Sequence, residues 1–274
     1  MLGIFNGNIL PVEEIKISPF SRAYTFSDAV YEVVPFFKGK PIAMDLHMER
    51  LVKSCHAIGI EVEHSVVQAE IIELANLALN NSNGYVYYQL TRGVDKSRSH
   101  IYSNNLQCES FGYAAHTSQT IAPQKAKIVQ DIRWARCDIK STALLGNILL
   151  MNQAYADGCS EIIMHRNNFI TESGSSNIFI VKDAKIMTPP REANILAGIT
   201  RELLIKNFSK SFEIAEEPCH IDLLAEANVV FLTSSTKGIM PINEIEGNNY
   251  IFSKDHPIFM DLKNQFDKFL ETAF

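Results

Sequence analysis

Between Ile4 and Phe37 the apolar positions come in short runs, broken by Asn-Gly-Asn at 6–8 and followed by Lys-Gly-Lys at 38–40. Within them, VYEVVPFF at 30–37 has the β-branched and aromatic side chains of a strand. The period then changes. Asp45 precedes LHMERLVKSCHAIGI, where Leu46, Leu51, Cys55 and Ile58 recur at roughly helical spacing and Gly59 supplies a stop, so a helix N-capped by Asp45 is expected. A second helix is expected over 66–79, ending at NNSNG before the strand YVYYQLTRG. The first half therefore reads as α+β. After the strand-like FGYAAH, the polar, proline-containing TSQTIAPQ at 117–124 has the character of an interdomain connection. Beyond it the pattern predicts a strand at KIVQDIR, a helix over 144–156 closed by Gly158, and strands at EIIMHR and NIFIVK. A helix over 200–208, a strand at NVVFLT and a C-terminal helix over 256–272 follow. The expected organisation is a smaller α+β domain over 1–117, a linker at 118–124 and a larger α/β domain over 125–274. No repeat or low-complexity tract interrupts it.

Length and composition narrow the classes. At 274 residues, 46% hydrophobic and 20% charged, the chain is long enough for two modest domains and apolar enough to pack them. Its net charge of −6 gives no field to attract nucleic acid or anionic lipid, so an anionic ligand has to be held by a local cluster of donors. The five scattered cysteines form no CxxC pair, and no apolar run reaches the ~18–20 residues of a membrane span. A reducing, cytoplasmic setting is expected, with no membrane or nucleic-acid partner. The histidines have no metal-ligand spacing, and no metal is assigned.

Four separated segments carry candidate chemistry. In RWARCDIKSTALLG, Lys140 ends a polar-interrupted strand just before an apolar helix; alone it could equally be a surface lysine. FITESGSSNIFIV sets Glu172 beside a Ser/Gly turn, which could be only a turn. NILAGITRELLI leads Gly198 and Ile199 into a helix with Thr200 as the expected N-cap, and a helix start with a hydroxyl beside it can cap itself or bind phosphate. FLTSSTKGIMP ends a strand in Thr233, Ser234, Ser235 and Thr236, hydroxyls that an anion or solvent would satisfy.

Together with YTFSDAVYEVV, HMERL and TRGVDKSRSH in the first half, these segments resemble the fold-type IV pyridoxal-phosphate enzymes, and most nearly their D-amino-acid aminotransferases, over almost the whole chain. The resemblance implies a two-domain α/β fold with the cofactor in the cleft between the domains. Lys140 would carry pyridoxal 5'-phosphate as a Schiff base, and Glu172 would face the ring nitrogen. Arg50, Ile199, Thr200, Ser234 and Ser235 would hold the phosphate, and Arg133 would lie near the ring. Lys140, Glu172, Thr200 and Ser235 would come from the second domain. It further implies a homodimer with shared active sites and a substrate-carboxylate trap made of Tyr31, Arg98 and His100. In an extended segment Arg98 and His100 project from one face, so both can reach one carboxylate. The implied reaction takes the amino group of D-alanine to 2-oxoglutarate, giving pyruvate and D-glutamate. A branched-chain L-aminotransferase, an aminodeoxychorismate lyase and a noncatalytic binding protein are the alternatives. Departures from close relatives are ESGSS for EGSSS, and Lys237-Gly238 for a Ser-Glu pair.

Overall fold

The computed structural model describes residues 1–117, 124–247, 250–253 and 255–273; the expected linker lies, but for Gln124, outside them. The architecture is mixed α and β, and the described residues gather into two compact units. One comprises 1–117 with Ile139–Ala143, the other 124–138 with Leu144–Ala273.

Six strands make the first unit's antiparallel sheet: β1 (Leu2–Phe5), β2 (Asn8–Pro11), β3 (Ala29–Phe37), β4 (Lys40–Pro41), β5 (Gly84–Thr91) and β6 (Glu109–His116), in the order β2-β1-β6-β5-β3-β4. Because strand side chains alternate, Val30, Val34 and Phe36 of β3 share one face with Val86, Tyr88 and Leu90 of β5. The helices α2 (Met44–Ala57) and α3 (His64–Leu79) supply Met48, Leu51, Cys55, Ile71 and Leu74 to the same core. Each such aliphatic side chain contributes about 1.5–3 kcal/mol on burial. A short helix, α1 (Arg22–Phe26), precedes β3 where only strands and turns were expected; five residues are too few to reveal a helical period. Asp45 is not the cap of α2: the chain enters that helix through Ala43 in a left-handed conformation, which places Asp45 in the first turn. It still complements the helix dipole there.

Lys140 was expected on the second domain, yet its segment packs with the first. Tyr31 N–H donates to the Lys140 carbonyl at 3.0 Å, Thr142 N–H to that of Ala29 at 3.0 Å, and Ile139 is buried in the first unit's core.

The second unit is built on a nine-stranded mixed sheet: β7 (Gln124–Gln130), β8 (Glu161–Arg166), β9 (Phe169–Ser173), β10 (Asn177–Lys182), β11 (Lys185–Thr188), β12 (Ile214–Glu216), β13 (Val229–Ser234), β14 (Gly238–Ile245) and β15 (Tyr250–Ile251). Eight run in the order β12-β11-β10-β13-β14-β7-β8-β9, with β15 paired to β14. The pairs β11–β12, β14–β7 and β7–β8 are parallel. Ile178, Ile180, Val230 and Leu232 of the adjacent strands β10 and β13 are fully buried, as the continuous apolar runs of a sheet covered on both faces require. The helices are α4 (Leu145–Ala156), α5 (Ile199–Phe208), α6 (Leu223–Glu226) and α7 (Pro257–Ala273). α5 begins one residue before the expected start, with Gly198 at its cap, so Thr200 is the second residue of the helix and not its N-cap. Among the described residues, no helix is long and apolar enough to cross a membrane.

Candidate active site

In the first unit, Lys140 is half-buried and follows a turn at 137–138, not the strand expected before it. Its backbone N–H donates to Ser54 Oγ at 3.2 Å, and its Nζ lies 4.2 Å from the centroid of the Tyr31 ring. Tyr31 stacks in turn on Tyr87, with centroids 5.3 Å apart. The amine and Tyr31 are thus neighbours.

Behind Tyr31 lies a carboxylate that is not among the site residues expected from the sequence. Glu32, the next residue of β3, points to the opposite face, where it is fully buried. Arg50 of α2 donates from Nε and Nη2 to its two oxygens at 2.7 and 2.8 Å, and His47 Nδ1 lies 2.7 Å from Oε2. Burial alone would raise the Glu32 carboxyl, but the Arg50 guanidinium and then His47 outweigh it and hold it well below the usual carboxylate range. His47 is pushed the other way from a typical ion-pair histidine: burial lowers it despite Glu32, and the charges of Arg50 and Lys140 add to the lowering. A neutral ring donating from Nδ1 leaves a buried Nε2 lone pair, and that atom has no partner among the described residues. Glu32 was legible in principle: a carboxylate at an inward position of an apolar alternating strand needs a cation, and HMERL begins 15 residues later with His47 and Arg50 about one helix turn apart.

The trap candidates Arg98 and His100 are brought together. Both are exposed, and both sit on the Phe26 ring, the Arg98 guanidinium carbon at 4.7 Å from its centroid and the His100 ring at 5.3 Å. Tyr31 makes its contacts with Tyr87 and Lys140 instead.

In the second unit, Glu172 is buried near the end of β9, not in a turn. Arg133 Nη1 donates to its Oε1; Asn177 Nδ2 at 3.3 Å and Leu196 N–H at 3.2 Å donate to Oε2. Three donors leave one of a carboxylate's roughly four lone-pair positions for a ring N–H. Burial pushes the Glu172 carboxyl up, and the Arg133 charge pulls only part of that back. Arg133 is itself anchored bidentately on Asp131, from Nε at 2.9 Å and Nη2 at 2.8 Å, while Asp131 also accepts from Thr171 at 3.0 Å. The arginine expected near a cofactor ring is therefore the group that orients Glu172.

Asn177 ties this carboxylate to the start of α5. Its Nδ2 also donates to the Leu196 carbonyl at 2.9 Å, and its backbone pairs with Thr233 at the end of β13. A Cβ on Gly198 would lie 2.1 Å from Asn177 Oδ1, so only glycine lets the helix begin this close to β10. The first turn of α5 carries N–H groups with no intrahelical acceptor, and Ile199 and Thr200 are both buried there. Ser234 and Ser235 follow at the end of β13, half-buried, with Ser234 Oγ accepting from Lys237 N–H at 3.3 Å. The buried hydroxyls of Ser176 and Thr233 have no partner among the described residues. Helix-start amides, hydroxyls awaiting a partner and one carboxylate are the donor and acceptor set that a phosphate and a basic ring nitrogen require.

The family model described as "Amino-transferase class IV" matches residues 29–245. The chain is 35% identical over 273 residues to a D-alanine aminotransferase of Listeria monocytogenes, covering 96% of this chain and 94% of the relative. It is 32% identical over 276 residues to a D-alanine aminotransferase of Staphylococcus aureus, covering 97% of each. A branched-chain aminotransferase of Thermoproteus uzoniensis, crystallised with norvaline, has the same fold, with a TM-score of 0.90, 23% identity, and coverage of 98% of this chain and 94% of that one. A matched family model across most of the chain, relatives aligned nearly end to end and a donor set suited to pyridoxal phosphate lead to one conclusion: this chain belongs to the class IV aminotransferases, the pyridoxal-phosphate-dependent transaminases.

Proposed function

We propose that this enzyme moves an amino group between D-amino acids and 2-oxo acids, taking it from D-alanine to 2-oxoglutarate and yielding pyruvate and D-glutamate. The observation that carries the D-specific reading is that Arg98 and His100, two N–H donors suited to a carboxylate, both contact one ring, that of Phe26. The similarity to D-alanine aminotransferases aligned over nearly their full length supports the same reading.

When bound, pyridoxal phosphate supplies an aldehyde for an amine to engage and a ring that withdraws electrons from the substrate's Cα. The residues of this chain do the rest. Lys140 would hold the cofactor through its amine and, when free, would move the proton at the substrate's Cα as general base and acid. Glu172, oriented by Arg133 and Asn177, would face the ring nitrogen with its carboxylate. By the resemblance, Arg50, Ile199, Thr200, Ser234 and Ser235 would hold the phosphate; Arg50 is kept in place by Glu32. Tyr31, Arg98 and His100 bind the substrate's α-carboxylate. The reading includes a homodimer with shared active sites, in the cytoplasm; the exposure of Arg98 and His100 supports that pair serving the facing copy's substrate.

An amino-donor panel of D and L enantiomers with 2-oxoglutarate tests the reaction, and borohydride reduction followed by peptide mass spectrometry tests the lysine. D-alanine should be consumed in preference to L-leucine, and the pyridoxyl group should appear on the peptide containing Lys140. Preference for L-leucine would hand the assignment to the branched-chain L-aminotransferases. Pyruvate release with no oxo-acid acceptor would indicate a lyase.

A further inference from the structure

The loop that carries Arg98 and His100 is exposed, yet it is held at more points than exposed loops need. Its base is closed by Asp95, which accepts from Ser103 Oγ at 2.6 Å and Ser103 N–H at 3.1 Å. Its middle is held by Arg22, a nearly buried residue of α1. Arg22 Nη1 donates at 2.8 Å to the carbonyl of Ser99, the residue between the two donors. The same guanidinium reaches Asp28 from Nε at 2.8 Å and approaches Asp95 at 3.5 Å. Arg92 shares Asp28 with it, from Nε at 2.8 Å and Nη2 at 3.0 Å, and lies 4.0 Å from the centroid of Tyr102 at the loop's far end.

Phe26, one turn along α1 from Arg22, completes the arrangement. Its ring takes the Arg22 guanidinium at 4.6 Å, the Arg98 guanidinium at 4.7 Å and the His100 ring at 5.3 Å. A long exposed arginine ordinarily samples many rotamers and loses that freedom on binding. Here the carbonyl between the two donors is held by one hydrogen bond, and both side chains contact one aromatic ring.

We propose that Arg22 and Phe26 are positioning residues for substrate-carboxylate recognition: Arg22 fixes the backbone at Ser99, and Phe26 provides the platform that aligns Arg98 with His100. This rests on the reading that Arg98 and His100 receive the α-carboxylate. It assigns to the segment before β3 a role in selecting substrate, separate from holding cofactor.

The test is steady-state kinetics of the holoenzyme with D-alanine and 2-oxoglutarate, alongside cofactor content and absorption spectrum. Phe26→Leu keeps apolar volume but removes the ring. It should raise KM for both substrates by roughly three- to tenfold, with kcat and the spectrum near wild type. Phe26→Tyr, which retains the ring, should restore wild-type KM. Arg22→Lys cannot reach Asp28, Asp95 and Ser99 at once and should raise both KM values by about tenfold or more. If it does not fold, the two Phe26 variants decide the matter. Arg98→Ala separates the two claims. If Arg98→Ala raises both KM values while Phe26→Leu leaves them unchanged, or lowers kcat or cofactor content in their place, the positioning role is refuted and the carboxylate reading stands. If Arg98→Ala itself leaves both KM values at wild type, the carboxylate reading fails.

Discussion

Replacing Glu32 by Gln tests whether the hidden side of β3 governs the site's rigidity. The wild-type carboxylate is fully buried and accepts two hydrogen bonds from Arg50, at 2.7 and 2.8 Å, with His47 Nδ1 at 2.7 Å. Glutamine keeps the shape but turns an NH2 toward groups that are themselves donors, and it removes the negative charge paired with the Arg50 side chain, which is only 9% exposed. Removing one partner of a buried pair costs about 3–5 kcal/mol, roughly two to four powers of ten in the opening equilibrium. Native-state hydrogen exchange is the fitting assay, because it reads β3 and α2 locally in a protein of two units. Their amides should lose about 3–5 kcal/mol of protection at pH 7. The folded carboxyl titrates well below its ordinary 4.5. Its ionisation therefore contributes stability that is full above that pH and is lost as pH falls through 4.5 toward the folded value. The gap between wild type and variant should accordingly narrow below about pH 4.5. A loss under about 1 kcal/mol, typical of exposed pairs, would refute the reasoning, as would a gap unchanged at pH 3.

Glu172→Gln should keep the bonds to Asn177 and Leu196 largely in shape while slowing proton abstraction from Cα at least tenfold, read as a primary isotope-sensitive step with α-deuterated D-alanine; full activity and an unchanged cofactor spectrum would return Glu172 to a structural role. Gly198→Ala would set a Cβ 2.1 Å from Asn177 Oδ1, so either α5 or Asn177 must shift. Such overpacking costs about 1–3 kcal/mol, and pyridoxal-phosphate affinity measured by fluorescence titration should fall about tenfold or more; wild-type affinity would show that the helix start does not depend on this approach.

Local pattern was enough for most of the regular structure. The alternation and β-branching of VYEVVPFF marked β3, and the apolar spacing after residue 45 and over 66–79 marked α2 and α3, because a side chain's face follows from the strand or helix period alone. The helix starts were less legible. Asp45 and Thr200 look like caps by residue type, but Ala43 adopts a left-handed conformation and Gly198 approaches Asn177 on another strand. α1 is only five residues long and is held by Gly93, Asp28 and Asp95, residues that follow it in the chain. The chemistry divides in the same way. That a lysine, a carboxylate and several hydroxyls lay in separate segments could be read directly, since each segment carries its own residue types. Which partner orients each group could not. Arg133 meets Glu172 across 39 positions of sequence, Arg22 reaches Ser99 across 77, and Lys140 joins the unit of Tyr31. Such contacts depend on where the sheets carry their strands, and the free energy that selects them is the burial of a charge only where another chain segment can neutralise it.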